Sequence, residues 1–413
     1  MIYGPTRLSG NIAVSGAKNA ALPILAASLL ATGRSRISRV PDLKDIITII
    51  KLLENLGVKI EQKEDVLTID SNSIHHFEAP YELVKTMRAS VLVLGPLLTR
   101  FQKAKVSLPG GCAIGARPIN LHLAGLAKMG AEICLENGYV VAEATRLRGA
   151  TIYFDTVTVT GTQNLMMAAA LAEGTTILEN AAREPEIIDV AHYLNKMGAK
   201  ITGAGTDTIF IEGVKELHGT DYEVMPDRIE TGTILIAVAV AGGNVTIQNC
   251  IPTHVEALIE RIVSSDIKIE TSENSMRVVS TGRIEKMKLQ TQPYPGFPTD
   301  LQAQMMVLLT QAEGTSFIAE NIFENRYNHV AELCRMGATI SVDGKMAVIE
   351  GKTILSGAPV MATDLRASAC LVIAGLIAEG KTEISRIYHL DRGYEKLHEK
   401  LLKLGARIER MVE

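Results

Sequence analysis

The sequence predicts an α/β protein of two domains, each made of three βαβαββ copies closed around their own helices with the sheets outside. Three observations lead there. The chain has 413 residues, too many for one ordinary hydrophobic core. One order of signals recurs roughly every 70 residues, a period that marks a copied supersecondary unit rather than a short solenoid repeat. Several helical stretches, such as Met166 to Leu171 and Leu371 to Ala378, are apolar on all sides, as buried helices are.

Each copy opens with an alanine-rich helix that stops at a small residue and glycine. The stops are Ala31-Thr32-Gly33, Ala172-Glu173-Gly174, Ala241-Gly242-Gly243, Ala312-Glu313-Gly314 and Ala378-Glu379-Gly380. The second copy keeps the helix, Val91 to Leu98, but lacks the glycine. A short β-branched strand, a turn and an amphipathic helix follow, and a hairpin closes the copy. The amphipathic helix ends at Gly57, Gly130, Gly198, Gly337 or Gly405, each suited to a left-handed cap. In the fourth copy this mark decays to Asp266-Ile267.

A proline after the third hairpin, in Val224-Met225-Pro226-Asp227-Arg228, sets the boundary. The first 16 residues form a strand that could pair with the last copy and tie both termini together. The expected domains are therefore 18–225, carrying a cysteine loop, and 1–17 plus 226–413.

Composition excludes several classes. Net charge is −4 without basic runs, which disfavours nucleic acid as a partner. Cysteines 112, 134, 250, 334 and 370 are scattered, odd in number and without metal spacing, as in a reducing compartment. No signal-peptide layout opens the chain, and no apolar run reaches bilayer length. There is no P-loop or dinucleotide fingerprint. A cytoplasmic protein is expected, monomeric, off the membrane, with no metal or cofactor.

One stretch carries unusual chemistry. Leu108 to His122 sets Cys112 behind Pro109-Gly110-Gly111 and ahead of Gly115, Arg117 and Pro118. Such a loop bends freely and approaches a ligand closely. A thiol followed by a guanidinium suits an anionic substrate, although a small buried cysteine in a plain turn reads the same way. Five further basic residues, Lys18, Arg88, Arg326, Arg366 and Arg392, stand in loops or at helix starts where packing does not require them. Lys18, Arg88 and Arg366 directly precede buried helices, whose first N–H groups favour anions. Asp300, approached through Pro293, Pro295 and Pro298, is a stiffly held carboxylate; Asp227 is similar, and either could be a plain helix N-cap. His122 on the following helix reads as a packed or surface residue more readily than a catalyst.

Together these strings resemble the UDP-N-acetylglucosamine 1-carboxyvinyltransferase family of enolpyruvyl transferases over essentially the whole chain. The most specific segments are Ser15 to Pro23, Lys85 to Ser90, the cysteine loop, Ala182 to Ile187, Pro226 to Thr233, Phe297 to Asp300, Phe323 to Arg326 and Ala362 to Ser368. The resemblance implies two inside-out α/β barrel domains and transfer of enolpyruvate from phosphoenolpyruvate to the 3′-hydroxyl of UDP-N-acetylglucosamine, with phosphate released. It implies Lys18, Arg117 and Arg392 at the phosphate, and Arg326, Arg366 and Arg392 at the carboxylate. Cys112 becomes the general acid and the thiol that the family's epoxide antibiotic alkylates, and Asp300 the general base. Asn19, Arg88, Arg117, Pro118, Ile119, Asn120, Leu121, Thr156, Val157, Thr158, Val159 and Ile322 would line the sugar-nucleotide site, with domain closure assembling the whole. Asn120 stands where aspartate is common in the family and Thr156 where some members have lysine, which touches nucleotide affinity rather than reaction type. The shikimate-pathway enolpyruvyl transferase shares the sixfold layout but does not explain the Pro-Gly-Gly-Cys loop. A ring clamp on nucleic acid would need a basic inner face, whereas the repeated helices are apolar. A catalytically silent sensor would not need the cysteine, aspartate and arginines together.

Overall fold

The structure, a computed structural model, describes residues 1–108 and 119–411. Cys112, Arg117 and Pro118 lie outside the described residues. The chain divides into two compact units, one of residues 16–108 and 119–225, the other of residues 1–15 and 226–411.

In the first unit the helix Val159–Ala169 packs against both Lys18–Ala27 and Leu94–Phe101. Leu25, Leu97, Leu165, Met166 and Met167 are wholly inaccessible, which is why the stretches of helix that hold them are apolar. Gly95 permits the closest approach: a Cβ there would lie 2.5 Å from the Asn164 carbonyl oxygen. Its N–H donates instead to Asn164 Oδ1 at 2.7 Å.

Three four-stranded sheets surround these helices and share one layout. A first strand runs parallel to a second, which pairs antiparallel with one arm of a hairpin. In the third sheet, Ile152 lies beside Leu178 in the parallel pair and Leu178 beside Ile209 in the antiparallel pair. All three side chains are buried, while Tyr153 and Phe210 point outward, as the period of two requires. The amphipathic helices Lys44–Asn55 and Pro185–Lys196 pack against Lys18–Ala27.

The second unit is built the same way around Arg228–Ala241, Gln302–Thr310 and Leu365–Ile377. Two of its sheets repeat the parallel-then-hairpin order, and in the third the place of the hairpin is taken by strands from the two ends of the chain. The N-terminal strand Ile2–Gly4 pairs antiparallel with both Gly380–Ser385 and Arg407–Ile408. The opening residues therefore complete the last sheet of this unit. Leu8–Ala13 runs parallel to Gly243–Gln248 in another.

Two irregularities in the sequence pattern have physical counterparts. Where the second alanine-rich helix lacks its glycine, Gln102 adopts the left-handed conformation at φ 65°. Where the Gly-Ala mark decays, the helix Glu256–Ile262 has only 7 residues and ends at an extended Val263. Among the described residues no helix is long and apolar enough to cross a membrane. Cys134 and Cys334 are exposed, Cys250 and Cys370 are buried, and all four thiols are free.

Candidate active site

In the second unit a short 3-10 turn, Thr299–Leu301, carries Asp300 into the helix Gln302–Thr310. The Asp300 side chain caps neither element. Its Oδ1 accepts from Arg326 Nη2 and its Oδ2 from Arg366 Nη2, both at 2.7 Å. The two guanidinium side chains are only 4% and 5% exposed, against 27% for the carboxylate. These are charge-assisted bonds in a shielded place, the strong kind. Asp227, which looked alike in sequence, does cap a helix: its Oδ1 accepts from Ile229 N at 2.7 Å and Glu230 N at 3.0 Å.

Each arginine is held by its own scaffold. Arg366 is the second residue of Leu365–Ile377, whose N-cap Asp364 accepts from Arg366 N at 2.8 Å. Its guanidinium lies 5.4 Å from the Tyr394 ring centroid. Burial alone would push this guanidinium down, but the negative charge of Asp300 and the nearby Tyr394 outweigh it and hold it above its ordinary value. Arg326 follows the strand Ala312–Ala319 and lies over Phe323, 5.7 Å from its centroid. Its Nε–H is buried and has no hydrogen-bond partner among the described residues, so this guanidinium retains a donor beyond Asp300. His329 behind it is fully buried, and burial pushes the imidazole down to about 4, leaving it neutral beside Arg326. Arg392 ends the 3-10 helix Ile387–Arg392, two residues before Tyr394.

Several residues of this arrangement escaped the sequence reading. Tyr394 hydroxyl bonds Thr233 Oγ1 and Gln304 Nε2, each at 3.0 Å. Gln304 Nε2 also donates to the Asp300 carbonyl at 3.0 Å. Glu320, 1% exposed, accepts from the Ile322 and Phe323 N–H groups and from the Thr291 and Thr299 hydroxyls. A glutamate after a surface strand gives no local signal of this kind. Ile322 is half-buried in the same loop.

In the first unit Lys18 begins the helix Lys18–Ala27, with Asn19 half-buried beside it. Lys18 Nζ pairs with Asp45 Oδ2 at 3.3 Å, and both residues are buried. A second cluster centres on His122, which is 2% exposed. Asn164 Oδ1 is occupied by Gly95 N–H, so its amide group donates to Val91 O at 3.1 Å and to His122 Nδ1 at 3.0 Å. His122 Nε2–H therefore faces Thr160 Oγ1 at 3.2 Å. Burial first, and the Arg88 charge second, push this imidazole down to about 4, so it is neutral.

This cluster joins three stretches singled out in the sequence. They are the turn Arg88–Val93, the helix start at Asn120 and Leu121, and the segment 156–159. Ile119, just before that helix, is 8% exposed. Thr158 caps the helix Val159–Ala169 by accepting from Gly161 N at 3.2 Å, with Val157 and Val159 half-buried on either side. Asn120 and Thr156 are exposed. Among the described residues no group of three His, Cys, Asp or Glu side chains could hold a metal ion.

The EPSP synthase (3-phosphoshikimate 1-carboxyvinyltransferase) family matches residues 2–401. A UDP-N-acetylglucosamine 1-carboxyvinyltransferase from Geotalea uraniireducens is 58% identical over 413 residues, covering 100% of this chain and 99% of its own length. One from Thermodesulfovibrio yellowstonii is 58% identical over 412 residues with the same coverage. Among solved structures, the enolpyruvyl transferase NikO from Streptomyces tendae superposes with TM-score 0.87 at 25% identity, covering 98% of this chain and 97% of that one. EPSP synthase from Acinetobacter baumannii gives TM-score 0.74 at 17% identity, with 98% and 97% coverage, a likeness of fold alone.

Proposed function

The chain belongs to the UDP-N-acetylglucosamine 1-carboxyvinyltransferase family of enolpyruvyl transferases, and from that premise we infer its reaction and the parts its residues play. It transfers the enolpyruvyl group of phosphoenolpyruvate to the 3′-hydroxyl of UDP-N-acetylglucosamine and releases phosphate, the first committed step of peptidoglycan synthesis. The observation that best supports this reading is the pair of buried guanidiniums around Asp300, each 2.7 Å from one of its oxygens. Two arginines converging on a carboxylate make a seat for a carboxylate-bearing substrate, with a base beside it.

The proposed chemistry balances in two steps. In addition, the sugar 3′-oxygen bonds to C2 of phosphoenolpyruvate, Asp300 takes the hydroxyl proton and the Cys112 thiol protonates the methylene carbon. In elimination, that carbon returns a proton to the Cys112 thiolate, the C2–O bond to phosphate breaks, the double bond reforms, and the departing phosphate carries off the proton held by Asp300. Arg326, Arg366 and Arg392 hold the carboxylate, and Lys18, Arg117 and Arg392 hold the phosphate. Asp300 presently occupies two of the donors that the substrate carboxylate needs. The substrate therefore displaces it, and the displaced carboxylate turns to the hydroxyl. The unpartnered Arg326 Nε–H supplies a further donor for the incoming group. Asn19, Arg88, Arg117, Pro118, Ile119, Asn120, Leu121, Thr156, Val157, Thr158, Val159 and Ile322 are assigned to the sugar nucleotide.

At the level of the fold, we assign each sheet with its two helices to one βαβαββ copy, six in all, closing into two inside-out barrels. The domains run over 18–225 and over 1–17 with 226–413. The protein acts in the cytoplasm as a monomer, off the membrane and without nucleic acid. Mass spectrometry of the reaction tests the activity: UDP-N-acetylglucosamine should gain one enolpyruvyl group, and its 3′-deoxy analogue none. An unmodified nucleotide, or an equally modified deoxy analogue, would overturn it.

A further inference from the structure

We propose that Glu320 is a positioning residue that ties the turn carrying Asp300 to the loop carrying Arg326, an inference that rests on the transferase reading above. Glu320 follows the strand Ala312–Ala319 and is 1% exposed. No cation pairs with it among the described residues. Its Oε1 accepts from Thr291 Oγ1 at 2.9 Å, Ile322 N at 2.8 Å and Phe323 N at 3.2 Å. Its Oε2 accepts from Thr299 Oγ1 at 2.9 Å. Thr291 Oγ1 in turn accepts from Asn321 N at 2.9 Å.

These contacts reach both halves of the carboxylate–arginine arrangement. Thr299 immediately precedes Asp300, and its carbonyl accepts from Arg326 Nη2 at 3.4 Å. Ile322 and Phe323 open the loop that ends at Arg326, with Phe323 lying against the guanidinium. One carboxylate thus ties the turn that carries the base to the loop that carries the arginine.

A buried charge without a cation is costly, so a loop anchor alone would be met more cheaply by a neutral side chain. What a carboxylate adds is acceptors at both ends and no donor. It obliges the Thr299 hydroxyl to donate toward Glu320, which fixes the rotamer of Thr299 and with it the turn at Asp300. Glutamine would place its amide against one of these donors; the Thr299 hydroxyl could then reverse, and the turn would lose its fixed direction.

The test is steady-state kinetics of the full chain, run with wild type in parallel. Thr299→Val should lower kcat at least tenfold, with KM for phosphoenolpyruvate and UDP-N-acetylglucosamine each within threefold. Thr299→Ser, which restores the hydroxyl, should return kcat to within threefold of wild type. Glu320→Gln should resemble Thr299→Val, and the double variant should be no worse than either single, because both remove one shared link. Assays well below each melting temperature keep the folded fraction constant, so a merely structural anchor would leave kcat unmoved. An active wild type with kcat unchanged in Thr299→Val, or unrestored in Thr299→Ser, would overturn this role alone. An inactive wild type would remove the transferase reading and this inference with it.

Discussion

Replacing Asp300 by asparagine exchanges one carboxylate oxygen for an amide group while keeping the side chain's shape. Both oxygens now accept at 2.7 Å from guanidiniums that are 4% and 5% exposed. Asparagine can accept at one of them only, and its amide faces the other donor. One charge-assisted bond is lost, a cost of about 1.5–3 kcal/mol. For a unit of this size that lowers the melting temperature by roughly 3–12 °C. The larger effect falls on turnover. A positioned general base contributes about 100- to 10,000-fold, and asparagine has no proton affinity with which to replace it. Affinity for phosphoenolpyruvate should hold or rise, because the internal competitor for Arg326 and Arg366 is weakened. The assay is single-turnover phosphate release with both substrates saturating, alongside a melting curve and calorimetric titration of phosphoenolpyruvate. Turnover within tenfold of wild type in a folded variant would refute Asp300 as the base. A large loss of phosphoenolpyruvate affinity would refute the exchange of carboxylates.

Arg392→Ala should weaken phosphoenolpyruvate about 10- to 150-fold, from one charge-assisted fork lost, and UDP-N-acetylglucosamine little; equal losses in calorimetry would indicate general destabilisation. Cys112→Asp should stay active with a lower pH optimum and resist epoxide alkylation. An aspartic acid near pKa 3.9 gives up its proton far below a thiol near 8.5, and the thiolate nucleophile is gone. A pH–rate profile unchanged across neutrality would remove Cys112 as the proton donor. His122 is neutral when folded, with its imidazole pushed from 6.5 down to about 4 by burial and then by Arg88. Its stabilising contribution is therefore complete above pH 6.5 and is lost as pH falls towards 4, an effect of about 3 kcal/mol. His122→Gln should flatten this limb of the melting temperature against pH, and an unchanged slope would contradict the assignment.

The helices were legible in the sequence because burial on all sides leaves a compositional trace: Met166 to Leu171 and Leu371 to Ala378 are apolar for that reason. The two aspartates were not separable. An N-cap preference is local and makes Asp227 and Asp300 look alike, whereas the partners of Asp300 lie 26 and 66 residues away. Glu320 left no trace for a similar reason, since a glutamate after a strand ordinarily reads as a solvated charge. His122 read as a packed residue and is buried, but its bond to Asn164, 42 residues on, follows from helix packing at Gly95 and not from any motif. Gln102 shows the converse: the second copy lacks the glycine of the others, yet the left-handed cap forms with a side chain present. Periodicity and caps are written within a turn or two of chain, while the carboxylate–arginine and imidazole–amide pairings are set by which distant segments the fold brings together.

In the proposed reaction the sugar 3′-hydroxyl adds to C2 of phosphoenolpyruvate and phosphate then leaves. Phosphate release measured with phosphoenolpyruvate alone, and again with UDP-N-acetylglucosamine added, tests it most directly. Release is expected only with both present, one phosphate for each nucleotide consumed. Release at the same rate without the nucleotide, or none with it, would contradict this reaction.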